Sequence, residues 1–185
     1  MSSSYRKTLD DWLATLDVKG SVLDVGGSQL SVKNRVRSWD VEEYKIADLP
    51  DPHQGVKPDY EIDLNQPTEL IGNYENVFCL EVFEYIYNPV VALDNLTKFM
   101  DWDIGRIYVT FPSFYPTHNP IEHDSLRYME GGIRKLAQVN NLKIAQMIPR
   151  RPETNALEQY YAAERLRAAK GYDHYFMGWI VEFQK

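Results

Sequence analysis

Strand-like and helix-like segments alternate along this chain from Val22 to Met147, and that order limits the fold more than any other feature. Ser21-Val22-Leu23-Asp24-Val25 is a short apolar run closed by Gly26-Gly27-Ser28. A short helix is expected over residues 29–36. A second strand is expected over residues 44–47, ending in Asp48, and a brief third over residues 60–62, ending in Asp63. Val77-Phe78-Cys79-Leu80 is continuously apolar, as in a central strand covered on both faces. Asn88-Pro89 pairs an N-cap residue with proline at the first helical position, ahead of Ala92, Leu93, Leu96, Phe99 and Met100 at helical spacing. Further strands are expected over residues 107–111, 142–148 and 179–183, with helices near residues 130–139 and 156–169. Such alternation predicts a doubly wound, mostly parallel α/β sheet of Rossmann-like type, with an antiparallel last strand and helices on both faces. Ligands of these sheets bind outside the carboxyl ends of the strands, so the residues just after each strand carry the interest.

A length of 185 residues suits one domain with one core. Residues 1–18 read as an N-terminal helix, with Tyr5, Leu9, Trp12, Leu13 and Leu16 on one face, and residues 149–175 as a helical insertion before the last strand. The net charge of −7 repels phosphate backbones and argues against a nucleic-acid partner. Arg150-Arg151 and the run Arg165, Arg167, Lys170 are the dense basic spots. With one cysteine, Cys79, no intrachain disulfide can form. No apolar run has the roughly 18 residues a bilayer requires, and the first residues lack a signal-peptide core. The expectation is a cytoplasmic protein with no membrane partner. Its oligomeric state is left open, a homodimer being one option.

Several residues at expected strand ends carry chemistry. Gly26 and Gly27 permit a sharp turn and close approach of a ligand to bare backbone, although a plain tight turn uses glycine in the same way. Asp48 can accept hydrogen bonds from two ribose hydroxyls; a surface acid before the turn-rich Leu49-Pro50-Asp51-Pro52 is the bland alternative. Asp63 can accept from an adenine amino group, with the Leu64 backbone reading the ring edge, or it can cap a short helix near Pro67. Leu80-Glu81-Val82-Phe83-Glu84-Tyr85 follows the most apolar strand, and its two acids are expected in the cleft or on the surface rather than in the core.

This ordered series resembles the class I S-adenosyl-methionine-dependent methyltransferases, especially the small methyltransferase type 11-like group. Asp24-Val25-Gly26 matches the acid-x-glycine motif that ends the first strand, Asp48-Leu49 the acid after the second, and Asp63-Leu64 the pair after the third. Cys79-Leu80-Glu81-Val82-Phe83-Glu84-Tyr85 and Asn88-Pro89 match the segment after the fourth strand and the proline-started helix. Thr110-Phe111-Pro112, Tyr115-Pro116-Thr117-His118, His123-Asp124-Ser125-Leu126-Arg127-Tyr128 and Gly132-Ile133-Arg134-Lys135-Leu136 follow in order. Two features depart: in the glycine turn Ser28 and Leu30 stand where the motif has its second and third glycines, and Tyr85 replaces a histidine. The resemblance implies S-adenosyl-methionine as cofactor, held by Asp24, Gly26, Gly27, Ser28, Asp48, Leu49, Asp63, Leu64, Leu80 and Glu81.

The resemblance also implies methyl transfer to an O or N of a small-molecule acceptor. His118 or His123 would then remove the acceptor's proton, imidazole being suited to that task near neutral pH. His118, Glu122, His123 and Asp124 match no strong metal signature, and a plain hydrogen-bonded loop accounts for them as well. Phe114, Tyr115, Tyr128, Tyr172, Tyr175 and Phe176 come from segments that can cover the cleft, as an apolar lid or as ordinary packing. The altered glycine turn favours an alternative, a catalytically inactive binding or scaffolding protein of the same fold. A nicotinamide-dependent oxidoreductase is disfavoured, because Gly-x-Gly-x-x-Gly is absent.

Overall fold

The computed structural model describes residues 4–51, 55–69, 72–114, 117, 119–150 and 177–185, with side chains described from residue 6 onward. Seven strands form one sheet in the order β3-β2-β1-β4-β5-β7-β6. They are β1 (Asp17–Val25), β2 (Ser38–Asp48), β3 (Tyr60–Glu61), β4 (Asn76–Cys79), β5 (Arg106–Pro112), β6 (Lys143–Arg150) and β7 (Gly178–Gln184). Pairing is parallel from β3 through β5, and β7 runs antiparallel to both of its neighbours. The expected doubly wound sheet with an antiparallel last strand is therefore what forms.

The sheet's two faces are covered differently. Helix α1 (Ser4–Leu13) brings Leu9, Trp12 and Leu13 onto Val18, Val22, Phe78 and Tyr108 on one face. Helices α2 (Pro89–Phe99) and α3 (Glu130–Val139) cover the other, burying Leu93, Leu96, Phe99, Ile133 and Ala137 against Leu23, Cys79 and Val109. Each large apolar side chain so buried contributes roughly 1.5–3 kcal/mol. The central strands β4 and β5 are buried almost throughout, which explains why their sequences read as unbroken apolar runs. Asn88 stands at the N-cap of α2 with Pro89 in its first turn, yet its side chain bonds the Asn65 carbonyl instead of the helix.

Several sequence expectations change. The N-terminal helix ends at Leu13, and Asp17 already belongs to β1. Residues 26–37 make turns where a helix over 29–36 is expected. Side chains compete with the helix there: the Val32 amide donates to Asp24 Oδ2 at 2.7 Å, and the Lys33 amide to Ser31 Oγ at 3.1 Å. Asn34 takes φ +71, incompatible with a continuing right-handed helix. Among the described residues no helix forms near Pro67 either, and Asp63 caps none; β6 extends through Arg150, into the expected insertion. The helix expected over 156–169 lies outside the described residues. Among the described residues no helix is long and apolar enough to cross a membrane.

Candidate functional site

The register aligns the carboxyl ends of the central strands, with Val25 beside both Ala47 and Cys79, and Cys79 beside Val109. Gly26 turns the chain immediately beyond β1. It has φ +78, its amide donates to the Ala47 carbonyl at 2.8 Å, and a Cβ there would collide with Val82. Gly27 passes over the Asp24 carboxylate. Asp24 itself is buried and committed to the fold, because it holds the turn by accepting from the Val32 amide and from Tyr44 Oη at 2.8 Å. Burial pushes its carboxyl up to about 6, although those two hydrogen bonds pull the other way.

Asp48 ends β2 and is partly exposed. Its Oδ1 accepts from the Leu49 amide at 2.8 Å and its Oδ2 from the Ser28 amide at 3.3 Å. The turn after β1 and the acid after β2 are thus brought together. The loop after β2 returns to the same turn, since the Val56 amide donates to the Ser28 carbonyl at 3.0 Å. Gly55, at φ +117, is pressed against that carbonyl so closely that no Cβ fits. Ser28 is 5% exposed, and its Oγ has no hydrogen-bond partner among the described residues. Leu49 is exposed.

Asp63 is exposed beyond β3, with Oδ1 accepting from the Asn65 amide at 2.9 Å and from Asn65 Nδ2 at 3.1 Å. Leu64 is buried beside it, its carbonyl accepting from Asn95 Nδ2 at 3.2 Å.

The other half of the strand ends holds charge. Leu80 is buried, and Glu81 sits at φ +57, a left-handed conformation that a side-chain-bearing residue adopts at a cost. Two long-range bonds hold it there. Its amide donates to Thr110 Oγ1 at 2.6 Å, and its carboxylate pairs with both terminal nitrogens of Arg150 at the end of β6. Arg150, half of one of the dense basic spots of the sequence, is fully buried: a guanidinium paired with a carboxylate can enter the interior.

Glu84 is likewise buried, at 6% exposure, against the expectation that both acids after β4 stay out of the core. It sits in a one-turn 3-10 segment (Phe83–Tyr85) that folds back under the strand ends. Desolvation and the nearby Glu81 charge push its carboxyl up to about 7, opposed by Arg150. Asp124 adds negative charge and is paired with Arg127 at 2.6 Å.

His123 is on the exposed loop after β5, its amide bonded to the Pro120 carbonyl at 3.0 Å, and the structure does not bring its side chain into this charged group. His118 lies outside the described residues, as do Tyr115, Tyr172, Tyr175 and Phe176 of the expected lid. Tyr128 belongs to the core rather than to a lid, packed on Phe83 and Phe111 with its hydroxyl 3.2 Å from the Phe83 carbonyl. Phe114 is exposed. Among the described residues no three His, Cys, Asp or Glu side chains are grouped to hold a metal ion. The sequence reading missed Arg150, Thr110 and Tyr44. Tyr44 alone had an accessible signal, a polar-tipped aromatic facing the motif acid from the adjoining strand.

No protein-family model matches the chain, and no curated protein matches its sequence. Solved structures do match. A methyltransferase from Haloferax volcanii, described as putative and solved with the Trm112 methyltransferase activator, is 14% identical. The match covers 98% of this chain and 88% of that one with a TM-score of 0.65. An S-adenosylmethionine-dependent methyltransferase from Clostridium acetobutylicum is 12% identical over 97% of this chain and 87% of its own, with a TM-score of 0.62. OxaC, solved with sinefungin and meleagrin, is 14% identical, with a TM-score of 0.59. That match covers 94% of this chain and 45% of OxaC. The fold is that of the class I S-adenosyl-methionine-dependent methyltransferases.

Proposed function

We propose that this protein binds S-adenosyl-methionine across the ends of β1, β2 and β4 and transfers its methyl group to an O or N atom of a small-molecule acceptor. The observation that carries this reading is the Asp48 carboxylate, partly exposed at the end of β2 and tied to the turn after β1 through the Ser28 amide. The donor set suits a nucleoside bearing an amino-acid tail. Asp48 has lone pairs left for ribose hydroxyls. Asp63 and the Leu64 backbone flank the place of the adenine. The turn Gly26-Gly27-Ser28 offers backbone for the tail, and Leu80 and Glu81 face it from β4. Asp24 contributes indirectly, by fixing the turn.

The cofactor supplies an electrophilic methyl group on a sulfonium. The protein's share is to align the acceptor behind that methyl and keep water out, so positioning carries much of the rate. In this reading the Glu81 carboxylate, held by Arg150, lies where the cofactor tail meets the acceptor and accepts from an acceptor O–H or N–H. His123, and His118 in the same loop, are the bases of this reading. A small-molecule acceptor is favoured by the net charge of −7. The second reading, a non-catalytic binding protein, is favoured by Ser28 in the glycine turn and by the absence of a helix over residues 29–36.

Titration calorimetry with S-adenosyl-methionine and S-adenosyl-homocysteine tests the assignment. Both compounds bind, and Asp48→Ala weakens binding by about 10- to 100-fold, the usual worth of hydrogen bonds to a charged acceptor. Absence of binding by either compound overturns the reading. Binding without turnover over a broad acceptor panel selects the non-catalytic alternative.

A further inference from the structure

The segment after β3, from Asp63 to Thr68, has neither strand nor helix of its own, yet a fully buried amide is set against it. Asn95 lies in α2 between Leu93 and Leu96 and is 0% exposed. Its Nδ2 donates to the Leu64 carbonyl at 3.2 Å and to the Gln66 carbonyl at 2.7 Å, and its Oδ1 accepts from the Thr68 amide at 3.1 Å. One side chain thus commits both N–H groups and its oxygen to a single loop. The neighbouring carbonyls are engaged as well: that of Asp63 accepts from the Gln66 amide at 3.1 Å, and that of Asn65 from Asn88 Nδ2 at 3.4 Å. Each carbonyl from Asp63 to Gln66 therefore has a partner within the protein, and the Asp63 carboxylate stands exposed before them. A buried amide on an apolar helix face costs free energy unless it is bonded, and here the bonds that offset the cost all go to this loop.

We propose that Asn95 is a positioning residue for base selectivity: by fixing the loop to α2 it holds the Asp63 carboxylate against the amino group of a purine and denies the loop the freedom to rearrange around a keto purine. The proposal rests on the nucleoside reading above and deepens it, because it names the residue through which the site selects adenine. A carboxylate accepts from an amino group and repels a keto oxygen. It discriminates only while it cannot move aside, and a site built around a fixed hydrogen bond rejects the analogue lacking the donor more strongly than an adaptable one does. The loop has no ladder of its own to resist such movement. Asn95 resists it from α2, and Asn65 Oδ1 is the second tie, accepting from the Tyr87 amide at 2.9 Å and the Asn88 amide at 3.1 Å.

The test measures dissociation constants for S-adenosyl-homocysteine and S-inosyl-homocysteine, which carry an amino and a keto purine on the same ribose and tail. Wild type prefers the adenine compound by about 100-fold. Asn95→Leu nearly keeps the volume of the side chain and removes its hydrogen bonds, and the preference falls about tenfold, mainly through weaker binding of the adenine compound. Asn95→Ser, too short to reach the loop, is the second variant and shows the same fall. A merely structural amide would weaken both ligands by one factor, or lower stability alone, and leave their ratio untouched. An unchanged ratio in a folded variant overturns the positioning role, and a wild type that binds both compounds equally overturns the selectivity. Failure of both variants to fold overturns the proposal in favour of a role in the fold alone. Failure of the wild type to bind either compound removes the nucleoside reading itself, an outcome separate from these.

Discussion

The two halves of the sheet are built by different means. In the half formed by β1, β2 and β3 the connections among the described residues are turns, and the acids at the strand ends are held mainly by backbone amides of those turns. Asp48 bonds its own neighbour Leu49, and Asp63 bonds Asn65. In the half formed by β4, β5, β6 and β7, helices α2 and α3 make two of the crossovers. There, bonds between distant side chains hold the acids: Glu81 is fixed by Thr110 and by Arg150, residues on two other strands. Turn chemistry leaves a carboxylate such as Asp48 partly exposed and available, whereas long-range pairing commits Glu81 to a buried cation. In the proposed reading the first half receives the nucleoside. The second holds Glu81, Glu84 and Arg150, of which Glu84 and Arg150 are buried.

The contrast breaks most visibly at Arg150. If the charged half depends on mutual pairing, neutralising one partner strands the other. Glu81→Gln leaves the fully buried guanidinium facing an amide, and the unfolding free energy falls by about 3–5 kcal/mol, read from the urea midpoint at constant slope. Adding Arg150→Met to that variant recovers much of the loss, because an apolar chain of similar length has no charge to satisfy. A double variant no more stable than Glu81→Gln alone shows that the pair does not act as a unit. If the halves are as separate as their construction implies, Asp48→Ala weakens S-adenosyl-homocysteine binding by the same factor in these backgrounds as in wild type.

Acidity sharpens the comparison next. The Glu84 carboxyl rises from its ordinary 4.5 to about 7, because desolvation and the charge of Glu81 disfavour its ionised form. Its contribution to stability is fully present below about 4.5 and is lost as pH rises toward 7, a change of about 3 kcal/mol. Wild type accordingly loses stability between pH 4.5 and 7 relative to Glu84→Gln, and the difference is constant above that window. Parallel curves for the two proteins across this range refute the assignment. Asp24 has the same sign in the other half, from 3.8 to about 6, but hydrogen bonds from the Val32 amide and Tyr44 offset part of its burial.

How much was legible in the sequence follows the same division. Asp24, Gly26 and Asp48 were readable because a strand end, a turn and an acid are neighbours in the chain, and the residue types that permit the turn are few. The resemblance extended that reading through Asp63-Leu64 and the segment after β4. What escaped is long-range. Glu81 and Arg150 meet across two intervening strands, and nothing local to either predicts the partner. Glu84 reads as a polar residue after a strand until its burial beneath the Ser125–Tyr128 segment is seen, with the Ser125 amide bonded to its carbonyl. The helix expected over 29–36 failed for a related reason, since Asp24 and Tyr44 claim that segment's polar groups from outside it. The amino-terminal half of β2 was missed although Trp39 and Val41 alternate with Asp40 and Glu42, the period of a half-exposed strand.

The smallest effect is expected at Gly55, where the loop after β2 lies on the turn after β1. Alanine there is disfavoured twice: φ +117 is a poor conformation for any residue with a Cβ, and the added carbon would meet the Ser28 carbonyl. Relief requires the loop to lift and the Val56–Ser28 hydrogen bond to break, a cost of about 1–2 kcal/mol, because the loop is exposed and can hydrate the freed groups. Global stability thus changes little. Affinity for S-adenosyl-homocysteine falls severalfold, because Ser28 is no longer held against Asp48 and ligand binding must restore the contact. A Gly55→Ala protein that unfolds as readily as Glu81→Gln would place the loop among the supports of the fold. Equal affinity and equal stability would mean that the first half tolerates a displaced loop, and its nucleoside crevice would then depend on Asp48 and the glycine turn alone.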